Sequence, residues 1–284
     1  LRALAKQRAQ RQSALGLLGD AMRAGLVCAM LALLLLSACG PNIKDLQPGE
    51  TGKIASVSDG DTLTLDSGLK VQVTGVIAPR RGFRERPDEP KAKEARQTLE
   101  KIALGREARL AYGGEKRFGD AENPLALAQV FVKSEGGRWI WVQQAMLREG
   151  MARVRTWKDN HARYAALYAA EEIARKAKKG MWADKAYRIR NAETIKADDS
   201  GFQIVEGVVR SIGKTEKKTY LNFGDDYKTD FTASIDAAAL PNWTPKDIQI
   251  DNLEHKRIRV RGFVYDSGGP LIRVDHPQAI EVVK

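Results

Sequence analysis

Past residue 40 the hydrophobic positions recur in short runs cut by turn residues. Residues 52–58, 62–65 and 69–76 are β-prone and are separated by Asp59-Gly60 and Asp66-Ser67-Gly68, the composition of tight turns, which predicts a three-strand meander. Residues 91–104 repeat Ala95, Leu99, Ile102 and Ala103 and stop before Gly105, which predicts an amphipathic helix with a glycine terminator. Two more strands are expected over 106–112 and 125–133. Two more helices, each followed by glycine, are expected over 142–149 and 161–179. Beyond a polar stretch, residues 202–212, 219–223, 231–235, 257–264 and 271–274 are five further β-prone segments with glycine or proline punctuation, which suits a second, small OB-like β-barrel.

The start of the chain reads differently. Residues 26–36 form an apolar run of the length of a signal-peptide core and short for a bilayer span. Arg23 precedes it, and Leu36-Ser37-Ala38-Cys39-Gly40 follows, resembling a bacterial lipobox. The expected organisation is a signal segment over 1–38, of which 1–21 reads as an over-extended start, and a tether over 39–50 lipidated at Cys39. A first domain over 51–186, a linker over 187–200 and a second domain over 201–284 follow. The alternative is an uncleaved N-terminal anchor. The expected location is the bacterial cell envelope, extracytoplasmic and held to a membrane by lipid on Cys39. It becomes the outer membrane in a Gram-negative cell, because Gly40 is not aspartate.

Composition narrows the chemistry. The two cysteines are Cys28 and Cys39, so the expected mature domains have no disulfide, thiolate metal site or cysteine nucleophile. His255 and His276 are too poorly partnered to argue for zinc. The net charge is +11; residues 50–190 carry 28 Lys+Arg against 19 Asp+Glu, whereas 200–284 carry 12 against 12. The basic character therefore belongs to the first domain. Its clusters, Arg80-Arg81 with Arg84 and Arg86, and Arg175-Lys176 with Lys178-Lys179, suit phosphates or anionic headgroups. For the second cluster the expected reading is a solvated helix C-terminus, where cations complement the helix dipole. Arg257, Arg259 and Arg261 share one strand face by the period of two, as a phosphate-binding surface or as a half-buried strand.

Asp59-Gly60-Asp61-Thr62, followed by Val71-Gln72-Val73-Thr74-Gly75-Val76-Ile77-Ala78-Pro79-Arg80, resembles the opening of the staphylococcal nuclease (thermonuclease) family. Further likeness runs in order through Glu94-Ala95-Arg96, Tyr112-Gly113-Gly114, Arg117-Phe118-Gly119, Leu127-Ala128-Gln129-Val130, Leu147-Arg148-Glu149-Gly150-Met151-Ala152, Glu171-Glu172 and Lys179-Gly180-Met181-Trp182. The resemblance covers about residues 52–182. It implies a mainly β fold with α, a thermonuclease-type OB barrel carrying three helices. The family's activity implies Ca²⁺ held by two carboxylates, a base that orients water, and two arginines that neutralise the transition state.

Only the first metal aspartate persists, as Asp61. The second ligand position holds Ile77, the base position Arg80, and the two arginine positions Gln72 and, after an insertion over 120–124, Leu125. The expectation is a degenerate site, with no catalytic residue at the family positions, a vestigial Asp61 that serves as a turn residue, and no cofactor. The protein then binds nucleic acid, another polyanion or a protein without cutting, using Arg80, Arg81, Arg84 and Arg86, with the second domain open to a protein partner. The alternative is a Ca²⁺-dependent extracytoplasmic nuclease with relocated groups, Glu85, Asp88 and Glu89 being the acids at hand; a structural envelope role is a third reading.

Overall fold

The computed structural model describes residues 43–82, 84–118, 125–226, 228–244 and 248–283. The expected signal segment, Cys39 and the insertion lie outside the described residues. The first half contains β1 (Gln47–Asp59), β2 (Thr62–Leu65), β3 (Lys70–Val73), β4 (Gly75–Ile77), α1 (Ala92–Ala103), β5 (Glu107–Tyr112), β6 (Arg117–Phe118), β7 (Leu125–Lys133), β8 (Trp139–Trp141), α2 (Val142–Arg148), β9 (Arg153–Arg155) and α3 (Tyr164–Lys176). The second contains β10 (Arg190–Asn191), β11 (Gly201–Val208), β12 (Ser211–Lys214), β13 (Lys218–Asn222), β14 (Thr232–Asp236), β15 (Arg257–Asp266), β16 (Pro270–Val274) and β17 (Ile280–Val282).

The first sheet closes on itself. β1 pairs with β2 and β5, β2 with β3, and β5 with β7, while β3 runs parallel to β7 and joins the two ends. This is a five-stranded OB-type barrel, as expected. Alternation on β2 and β3 turns Leu63, Leu65, Val71 and Val73 into the core with Ile54, Leu110 and Val130, because side chains on a strand point to opposite faces in turn. The helices cover the barrel with Leu99, Met146, Leu147 and Leu167.

The run expected as one strand over 69–76 breaks at Thr74. Gly75 follows with φ +83°, a conformation open to glycine without steric cost. Buried Gln143 of α2 braces the break, its Nε2 donating to Thr74 O at 3.2 Å and Ala128 O at 3.0 Å. The chain then leaves the barrel as β4 and pairs with β9, setting Gly75 opposite Arg155 and Ile77 opposite Arg153. That switch carries two arginines to the mouth of the barrel.

The second sheet runs β10-β11-β15-β16-β14-β13-β12, with β17 on β15, and curls as a half-barrel over Val205, Leu221, Phe231, Ile258, Val260 and Ile272. The run expected over 202–212 divides at Val209 and Arg210, whose N–H groups bond Lys256 O and Asn222 O. The chain there changes partner from β15 to β13.

Two stretches read as connectors are packed instead. Gln47 and Pro48 pair with β5, Leu46 is buried, and Asp45 pairs with Arg163, so the tether folds onto the barrel from Ile43 onward. In the stretch read as a linker, β10 pairs in parallel with β11, and Ala192 and Ile195 join the second core. The described residues from Ile43 onward form one compact unit.

Candidate nucleic-acid interface

The turn between β1 and β2 places the first candidate. A side chain at Gly60 would meet Ala78 Cβ at 2.6 Å and Ala95 Cβ at 2.9 Å, so this turn packs directly on the start of the loop after β4 and on α1. Asp61 is 5% exposed. Its Oδ2 accepts the Ala78 N–H at 3.0 Å and its Oδ1 the Thr62 hydroxyl at 3.2 Å. The carboxylate therefore holds the post-Pro79 loop to the barrel, a wider reach than a turn residue bonded to its own backbone.

The positions that the resemblance marks as functional behave as their side chains allow. Gln72 donates Nε2 to the Asp61 carbonyl at 3.0 Å. Ile77 is buried at 4% exposure and offers no side-chain oxygen. Leu125 begins β7, paired with Lys70 and Phe118. Arg117 donates Nη1 to Tyr112 Oη at 2.6 Å and pairs with Glu50, so it is engaged on the barrel wall.

Arg80 and Arg81 are exposed and, like Arg86, make no side-chain hydrogen bond or ion pair with a described residue; Arg84 is exposed with φ 57°. The acids of the same loop are used to shape it. Glu89 Oε2 accepts the Arg80 N–H at 3.1 Å, and Asp88 Oδ1 accepts the Gly82 N–H at 2.7 Å. Glu85 is exposed.

A second carboxylate and a further arginine join Asp61. Burial and the Asp61 charge push the Asp59 carboxyl upward, against the Gly60 and Arg81 N–H groups that favour its anion. Arg155, reaching in from β9, is pulled downward by burial and by Arg80, while Asp61, Tyr265 and Asp275 support its charge. Its guanidinium lies 4.9 Å from the centroids of both Trp157 and Phe263 and has no hydrogen-bond acceptor among the described residues. Sequence reading missed it, because a three-residue strand leaves no period to detect. Its neighbour Arg153 is buried, with Nη1 donating to Phe202 O at 2.7 Å and Nε unpartnered; burial lowers it to about 10.

These donors do not fit Ca²⁺. The ion takes six to eight oxygens, and here both oxygens of Asp61 already accept hydrogen bonds, the Ile77 side chain supplies none, and Arg80 and Arg155 lie within electrostatic reach. Among the described residues no group of three or more His, Cys, Asp or Glu converges as a metal site.

The other basic clusters are largely neutralised. Arg175 and Lys176 pair with Glu172, and Lys179 with Glu149 at 2.9 Å. On β15, Arg257 and Arg259 pair with Glu206 at 3.5 and 2.7 Å. Arg261 is deeply buried and forks onto Glu171 at 3.0 and 2.6 Å, with Glu281 at 2.6 Å and the Tyr168 ring beneath it at 4.4 Å. Burial opposes its charge, yet Glu171, Tyr168 and Glu281 together raise its pKa. The three arginines hold the protein together and offer phosphates little. The same seam includes Thr156 Oγ1 at 2.7 Å from His276 Nε2, His276 Nδ1 at 2.5 Å from Asp275, and Tyr168 Oη donating to Gln278 O at 2.6 Å.

Sequence comparison agrees with the barrel. The family described as staphylococcal nuclease homologue matches residues 70–184. A thermonuclease of Staphylococcus hyicus is 27% identical over 140 residues, spanning 48% of this chain and 77% of that protein. The matched residues hold the barrel closure, all three helices and the loop of Arg80, and over this stretch the chain is similar to the staphylococcal nuclease homologues.

Proposed function

We propose that this chain is a lipid-tethered envelope protein whose nuclease-like barrel binds nucleic acid without cutting it. The observation that carries the reading is the contrast at the barrel mouth. Ligand and transition-state positions are filled by Gln72, Ile77 and Leu125, while Arg80, Arg81, Arg86 and Arg155 keep guanidinium groups that no described residue engages by hydrogen bond or ion pair. A fold hosts a site but does not supply one. Loss of one preorganised donor costs about 10²–10³ in rate, so two arginines and a base amount to roughly 10⁵ or more.

One observation favours an active nuclease. Asp59 and Arg155 each lie within electrostatic reach of Asp61 and Arg80, two carboxylates and two arginines on relocated positions. A single experiment separates the readings: phosphodiester cleavage and retention of the same labelled DNA and RNA, with Ca²⁺ and with EDTA. Retention that falls steeply with salt and no Ca²⁺-stimulated cleavage are expected. EDTA-sensitive turnover abolished by Asp61→Ala would instead establish the nuclease.

The tether reading rests on the lipobox-like run ending at Cys39. Cys39→Ser is expected to abolish incorporation of a fatty-acid probe and to release the protein from the membrane fraction, the outer membrane if the cell is Gram-negative. Equal labelling of the variant refutes lipidation.

A further inference from the structure

A cleft of about 540 Å³ lies between the barrel mouth and the second sheet. From the barrel side it is lined by Phe118, Arg155 and Trp157, and from the second sheet by Phe263, Tyr265 and Arg273. Its volume lies within the range of sites that take small ligands. Phe118 and Tyr265 are large and exposed, and Arg273 lies 5.3 Å from the Tyr265 ring centroid. The guanidinium groups of Arg155 and Arg273 make no hydrogen bond or ion pair with a described residue. A half-buried guanidinium packed close to two aromatic rings, with its N–H donors unused, is costly unless an acceptor completes it.

We infer that this cleft binds single-stranded nucleic acid, with Arg155 and Arg273 on successive phosphates and bases stacked on Trp157, Phe118 and Tyr265; the inference rests on the nucleic-acid reading above. Single strands are bound where cations interleave with aromatic platforms, because an unpaired base has a free π face. A duplex keeps those faces stacked internally and has none to offer. Four carboxylates also border the cleft. Asp236 is paired with Lys218 and Asp275 with His276, which leaves Glu115 and Asp159 as acceptors for base amino groups. Arg155 also lies within electrostatic reach of Arg80 and Asp61, so a strand leaving the cleft passes the barrel mouth. The second sheet thus supplies half of the binding site.

The test uses the full chain in detergent at low salt, with fluorescein-labelled oligothymidylate of about 12 residues and a duplex of equal length. Anisotropy is expected to show the single strand bound at least about tenfold more tightly, with quenching of tryptophan fluorescence. Tyr265→Ala and Arg155→Gln are each expected to weaken it about five- to hundredfold, whereas Arg81→Ser with Arg86→Ser weakens both ligands alike. If Arg155→Gln fails to fold, Tyr265→Ala and Arg273→Ala, at exposed positions, decide alone. Unchanged affinity in the cleft variants alongside weakened binding in the loop variant overturns the cleft and leaves the nucleic-acid reading standing. No binding of either oligonucleotide overturns both.

Discussion

Truncating the three arginines of β15 one at a time is expected to give three different costs, although the residues are of one type on one strand face. Arg261 is 3% exposed and its partner Glu171 1%. Arg261→Ala would leave the Glu171 carboxylate buried with one remaining donor, the Val154 N–H at 2.8 Å. Removing one member of a buried pair costs about 3–5 kcal/mol, because the other charge stays out of water without compensation. Arg259 sits directly across the strand pair from Glu206, a half-covered contact worth about 0.2–1 kcal/mol. Arg257 shares that glutamate from a position 55% exposed, where an ion pair contributes about 0–1 kcal/mol and salt screens it. Urea unfolding of each variant, followed by fluorescence and far-UV circular dichroism at constant m, measures the order. Replacing both partners by apolar residues, Arg261→Met with Glu171→Leu, is expected to recover much of the loss, since a satisfied buried ion pair gains little over hydrocarbon. Equal costs for the three single variants would refute the reasoning and would return the arginine face to the list of phosphate surfaces.

Two further outcomes follow from the geometry at the barrel mouth. Asp61→Ala is expected to cost about 1–3 kcal/mol by leaving the buried Ala78 N–H without its acceptor, with no change in nucleic-acid cleavage; thermal melts indistinguishable from the parent contradict the bridging role. Gly75→Ala forces a side chain into φ +83° and 2.6 Å from Leu167 Cδ1, for about 2–4 kcal/mol of strain and overpacking. A loss below about 1 kcal/mol in the same urea assay would mean that the strand break tolerates a Cβ.

Local chemistry made the barrel legible. The Asp59-Gly60 and Asp66-Ser67-Gly68 turns and the stop at Gly105 act within a few residues, so β1, β2, β7 and α1 follow from the sequence, as does the resemblance to the nuclease-like family from motifs kept in order. That Gln72, Ile77 and Leu125 carry no charge is read from residue types alone. Tertiary structure alone decided the rest. Strands of two or three residues, β6, β8, β9 and β17, have no period and exist only because a neighbour pairs with them. The break at Thr74 depends on Gln143, 69 positions away. Whether an arginine is a ligand group or a strut depends on what stands opposite: Arg261 meets Glu171 across 90 residues and is spent on cohesion, while Arg155 meets two aromatic faces and no acceptor. Charge and composition are sums over the chain, but pairing is a property of contacts between segments distant in sequence, and those contacts form only when the chain folds.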